Sequence, residues 1–191
     1  MIKSCITLLG AGISVLFFSM ALAAGEARPL IITFDQHEYL HRWSKHGQYE
    51  FTPKGQEDLS KWQEMVTINV HDTVKNGDEL ANLANGVLGN YQRSGKILRV
   101  DSKPQTTVSA AEHLIVAILG APGVVEAAFA RVVLIDDTGV IAVYSRRAYG
   151  EEAAMSIGAW LQANGASAEK ALMQWDAIPS LPTLRALPQH Q

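Results

Sequence analysis

Residues 96–149 carry four β-type runs in succession, Lys96–Ser102, His113–Leu119, Ala128–Ile135 and Val140–Tyr149. Each is rich in Val, Ile, Leu or aromatic side chains, which suit a pleated, half-buried surface. The last two flank Asp136-Asp137-Thr138-Gly139, a hairpin turn signal. Parallel neighbours would need a crossover of a dozen or more residues, and no break between these runs is that long. Antiparallel pairing is therefore predicted.

Upstream, Leu30–Phe34 is a short apolar run that reads as a strand. In Met65–His71, Val66, Ile68 and Val70 alternate with Thr67, Asn69 and His71, as in a strand with one buried face. Between these strands and the later four lies a helix. Leu80, Leu83, Ala84, Val87, Leu88 and Tyr91 make one apolar stripe, and Asn76 with Glu79 forms a capping pair. Ser94-Gly95 ends it, with Gly95 expected in the left-handed cap position.

After Gly150 the helical pattern returns. Glu151–Ala163 is expected to stop at Asn164-Gly165, and a further helix, Ala168–Trp175, to start behind a Ser167 cap. From Pro179 onward three prolines fall in ten residues, which predicts a flexible C-terminal tail over residues 179–191. The expected fold class is α+β, a mostly antiparallel sheet of five to seven strands flanked by three principal helices.

The N-terminus reads as a signal peptide over residues 1–23. Lys3 precedes an apolar run from Cys5 to Met20, and Ala21-Leu22-Ala23 supplies the small residues of a cleavage site before Ala24. The single domain then covers residues 24–178, and the expected location is periplasmic or secreted. No later run is long and apolar enough to span a membrane.

Removing residues 1–23 leaves 15 Lys and Arg against 19 Asp and Glu, with no basic block, which disfavours a nucleic-acid partner. It also removes Cys5, the one cysteine, and with it any disulfide, thiolate nucleophile or cysteine zinc knuckle.

His37-Glu38-Tyr39-Leu40-His41 matches H-E-x-x-H, with His46 close behind. A zinc hydrolase would need His37 and His41 one helical turn apart and Glu38 as general base. A helix capped by Asp35 and stopped at Gly47 would allow it. Three features oppose it. His46 falls one residue early for a metzincin, with Ser44 where its glycine belongs. The motif begins only 13 residues after Ala24, too early for a preceding substrate-binding sheet. The same residues also read as a hairpin, with strands Leu40–Ser44 and Tyr49–Thr52 joined at Lys45–Gln48. Zinc ligation by His37, His41 and His46 is the alternative; the favoured reading has no metal and no cofactor.

No nucleophile elbow or phosphate loop is present, and no catalytic residue is assigned. Arg146-Arg147 after Tyr144 are the candidate ligand-binding residues: on a strand the two arginines point to opposite faces, so one meets the covered side unless the strand is at its end, where both are solvated. A buried arginine needs a carboxylate partner or could hold an anionic ligand.

The segment Tyr49-Glu50-Phe51-Thr52-Pro53-Lys54-Gly55-Gln56, followed by Leu59 and Trp62-Gln63-Glu64-Met65-Val66-Thr67, resembles a T-P-x-G-(Q/E) … W-x-x-M-(V/I)-T pattern of short exported bacterial proteins. The order of elements is similar to that of PsbP-like domains, a family that includes an extrinsic photosystem subunit and a Ran-binding import factor. The resemblance implies an antiparallel sheet flanked by helices, and action by binding rather than catalysis. The sequence thus points to an exported, non-enzymatic binding or accessory module, whose partner would be an envelope protein or small ligand. Pairing of sheet edges makes a homodimer possible.

Overall fold

The computed structural model describes residues 29–107 and 109–190, so the expected signal segment lies outside the described residues. The first four strands are β1 (Ile31–Phe34), β2 (His37–Lys45), β3 (Gln48–Thr52) and β4 (Glu64–His71). Helix α1 (Gly77–Ser94) leads to β5 (Gly95–Lys103), β6 (Glu112–Ala121), β7 (Val124–Ile135) and β8 (Thr138–Tyr149). Helices α2 (Ala153–Met173) and α3 (Leu181–Arg185) follow. All strands join one antiparallel sheet in the order β1-β2-β3-β4-β8-β7-β6-β5. Two four-stranded meanders therefore meet along a seam, from Glu64↔Arg146 to His71↔Gly139.

The α+β class holds, but the sheet has eight strands rather than five to seven. The two further strands are β2 and β3: the H-E-x-x-H stretch takes the hairpin reading and not the helical one. Asp35 cannot cap a helix here, because it sits at φ 46° beside Gln36 at φ 66°, the two central residues of the β1–β2 turn. Strand geometry buries Tyr39 beside Phe34 and leaves Glu38 in solvent. Asp136 and Asp137, both at positive φ, make the same kind of turn between β7 and β8.

Helix α1 starts as expected, with Asn76 Oδ1 accepting from the Glu79 N–H at 3.0 Å. It ends differently. Gly95 is extended rather than left-handed, and it is needed because a Cβ there would lie 2.0 Å from the Ile118 carbonyl oxygen.

Asn164-Gly165 does not stop the next helix either: α2 runs unbroken for 21 residues. Asn164 Nδ2 donates to the Trp160 carbonyl and Ser167 Oγ to that of Asn164, so both polar side chains bond back along the helix rather than break it. Gly165 is buried on the inner face.

Residues 179–190 are also not the free tail that the prolines suggested. Pro182 occupies the first turn of α3, where its missing N–H costs no bond, and Ser180 caps that turn. Leu181 and Leu184 are buried in the core. Beyond them the His190 N–H donates to the Ser44 carbonyl at 2.8 Å, and Ser44 Oγ donates to the Pro188 carbonyl at 2.6 Å.

One sheet face is covered along much of its width. Ile157 and Leu172 of α2, with Leu181 and Leu184 of α3, pack in one cluster with Phe34, Val66, Ile68, Phe129 and Ala142. On the other face, α1 covers only the second meander, placing Leu80, Ala84 and Val87 on Ile115, Ala130, Val132 and Ile141. A buried ion pair fixes α2 to the sheet. Arg131 of β7 bonds Glu112 of β6 at 2.8 Å and donates to the carbonyls of Leu172 and Trp175 at the C-terminal end of α2.

Candidate functional site

A cavity of about 250 Å³ opens beside the β1–β2 turn, between the sheet and α2. Its origin is a missing stretch of strand. Leu40 pairs with Thr52, and Phe51 with Val66, so the next β3 residue would lie between Tyr39 and Glu64. Strand β3 ends at Thr52, just before Pro53, so Tyr39 of β2 and Glu64 of β4 face each other directly. Tyr39 Oη donates to Glu64 Oε2 at 3.2 Å.

Register brings the rest of the site to the same face. Phe34 pairs with His37, Val66 with Tyr144 and Glu64 with Arg146. Paired residues project to one side of a sheet, so Phe34, His37, Glu64, Tyr144 and Arg146 all point towards α2. Helix α2 closes the cavity with Trp160, Asn164, Ser167 and Ala168. The aromatic walls are in mutual contact. Ring centroids are 5.0 Å apart for Phe34 and Tyr144, and 6.1 Å for Tyr144 and Trp160.

Glu64 is held on both oxygens, by Arg146 on Oε1 and by Tyr39 on Oε2. Burial pushes the phenols of Tyr39 and Tyr144 well above the ordinary tyrosine range, and the negative charges of Glu64 and Asp35 push in the same direction. Both tyrosines are thus neutral hydrogen-bond donors at any physiological pH, not bases.

A larger hollow, of about 410 Å³, lies at the start of α1 between Asn76 and the 105–110 loop. It is open to solvent and has no aromatic wall, so the cavity beneath Tyr144 is the better-built site.

The residues singled out from sequence separate into distinct places. Tyr144 lines the cavity and Arg146 braces its carboxylate. Arg147 points to the opposite face, where it bonds Glu126 at 2.6 and 3.0 Å and lies 3.8 Å over the Trp62 ring. His37 is at the cavity lip, its Nδ1 2.8 Å from the Asp35 carbonyl. His41 lies further along β2 against Phe51 and Ser44, and His46 sits in the β2–β3 turn. Residues four apart on a strand are about 13 Å apart, which removes the helical geometry that the zinc alternative required. Among the described residues, no group of three or more His, Cys, Asp or Glu is placed to hold a metal ion.

Tyr39, Glu64 and Trp160 are site residues that the pattern reading missed. For Tyr39 and Glu64 the signal was the parity of β2 and β4, readable only once both segments are assigned as strands; for Trp160 it was the packed face of α2.

No curated protein matches the chain. Among solved structures, the Ran-binding protein Mog1p of Saccharomyces cerevisiae is similar at 11% sequence identity and a TM-score of 0.44, over 71% of this chain and 82% of that one. A protein-family model matches residues 27–177, and the chain belongs to that family.

Proposed function

We propose that the protein is an exported, non-enzymatic accessory module, periplasmic or secreted, that binds its ligand in the cavity between Tyr39, Glu64, Tyr144 and Trp160. The observation that carries this reading is the state of the cavity's polar groups. Its central carboxylate is already bonded on both oxygens, and its two phenols are held protonated. Groups so engaged are placed to orient a bound molecule through hydrogen bonds. The tripartite pattern of residues 1–23 supports export, and the resemblance of residues 49–67 to exported bacterial proteins bears the same way.

The binding claim is tested by exposing the purified protein to small molecules extracted from the cell envelope and weighing what it retains. A retained compound should be lost in a Ser167→Trp variant, which fills the cavity from α2. Equal retention in the two proteins, or none in either, overturns the proposal. Export is tested separately, by intact mass of the protein recovered from periplasm or medium, which should begin at Ala24.

A further inference from the structure

We infer that the cavity beneath Tyr144 takes an organic ammonium group, a refinement that rests on the binding reading above. Two features converge on that chemistry. The walls are aromatic on several sides, with Phe34, Tyr39 and Tyr144 from the sheet and Trp160 from α2. Ring faces carry negative partial charge, and a cation within about 6 Å of a ring centroid is attracted to it.

The second feature is charge. Asp35 and Glu64 both line the cavity, and no Lys or Arg does. Arg146 is the neighbouring guanidinium, and it is spent on Glu64 from outside the lining. His37, at the lip, shares a hydrogen bond with the Asp35 carbonyl. Two carboxylates against one guanidinium leave the site negative. At Tyr39 the charges of Glu64 and Asp35 both add to the upward push of burial, and at Tyr144 the Arg146 charge works against them. An anion would meet that field unfavourably. A neutral ligand would gain ring contact but leave the charge unanswered.

At about 250 Å³ the cavity falls below the roughly 300–1,000 Å³ of sites for drug-sized molecules. It suits a small amine, or the end of a lysine side chain presented by a protein. The shared chemistry is the ammonium head on an apolar stem.

Three probes test this by calorimetry on the mature protein: choline, its neutral carbon isostere 3,3-dimethylbutan-1-ol, and Nα-acetyl-lysine methylamide. An ammonium probe should bind about tenfold or more tightly than the neutral isostere. That preference should vanish in Glu64→Gln, which leaves Arg146 unopposed, and should shrink in Trp160→Leu, a replacement at a half-buried position, in protein whose urea midpoint shows it folded. Choline preferred over the lysine derivative assigns the site to a free quaternary amine; the reverse assigns it to a protein side chain. Equal affinity for choline and its isostere overturns the charge claim while leaving a binding cavity in place. Saturable binding of none of the three overturns the inference, even if the cavity retains some other compound from the envelope.

Discussion

The two meanders of the sheet obey different rules. Strands β6–β8 lie mostly between helices, with α1 on one face and α2 on the other, while the edge strand β5 is largely exposed. Strands β1–β4 share the α2–α3 side, but α1 does not reach their second face. Sequence follows cover. In β7 the run Ala127–Val133 is buried at every position, whereas β3 and β4 interleave buried Tyr49, Phe51, Val66 and Ile68 with partly exposed Gln48, Glu50, Thr67 and Asn69. The doubly covered half holds the molecule together. The singly covered half has room for strand β3 to stop short, and the cavity lies there.

The widest contrast should be seen in stability. Phe129→Ala, in the doubly covered half, is expected to cost about 3–5 kcal/mol. Thr67→Ala, on the uncovered face, should stay within about 0.5 kcal/mol. Urea unfolding of the two variants measures both, and similar losses would dissolve the distinction.

Two of the arginine–carboxylate pairs sharpen it next. Arg131→Met leaves Glu112 with only the exposed Lys103 ammonium as a charged partner and frees the Leu172 and Trp175 carbonyls, so it should cost about 2–3 kcal/mol, part of it recovered when Glu112→Leu is added. Arg146→Met, at a pair about a quarter exposed on each side, should cost clearly less. Equal penalties would mean that the cavity is as dry as the core.

Within the cavity, Tyr39→Phe removes a single hydrogen bond to Glu64 and should lower stability by about 1 kcal/mol while leaving the sheet intact. An unchanged midpoint would show that water replaces the phenol at no cost.

The smallest effect is one of pH, and it belongs to the singly covered half. Burial lowers the pKa of His41 on β2, as does nearby His190, and burial likewise lowers that of His71 on β4. For both, the unfolded chain takes up its proton first. Stability is therefore unaffected above the ordinary histidine value of about 6.5 and declines as pH falls below it. Urea midpoints at pH 7.5 and 5.5 should differ, and His41→Gln should narrow the gap. If it leaves the gap untouched, His41 is not a source of it.

Much of this architecture was legible in sequence, and the failures have physical causes. Helix α1 and strands β4 to β8 were readable because each shows one period and an explicit boundary, such as Asn76 or Asp136-Asp137. The stretch 35–47 was ambiguous because five residues fit both periods, and the left-handed turn at Asp35-Gln36 decided between them. Asn164-Gly165 misled because a glycine on the packed side of a helix reads like a stop. The prolines after residue 178 misled because Pro182 starts a helix as readily as another proline ends one. The cavity itself was hidden. It comes from where β3 ends relative to β2 and β4, and pairing register is not written in any single segment.

The seam between β4 and β8 has a kinetic consequence. It is the one strand pairing in the sheet that joins partners distant in sequence, with Glu64 and Arg146 82 residues apart. Every other pair forms between consecutive strands and can zip locally. Closing the seam must spend chain entropy before its contacts reward it, which makes it the natural bottleneck of folding. Substitutions at Ile68 and Ala142, which face each other across the seam, should slow refolding more than equally destabilising changes at the β1–β2 hairpin.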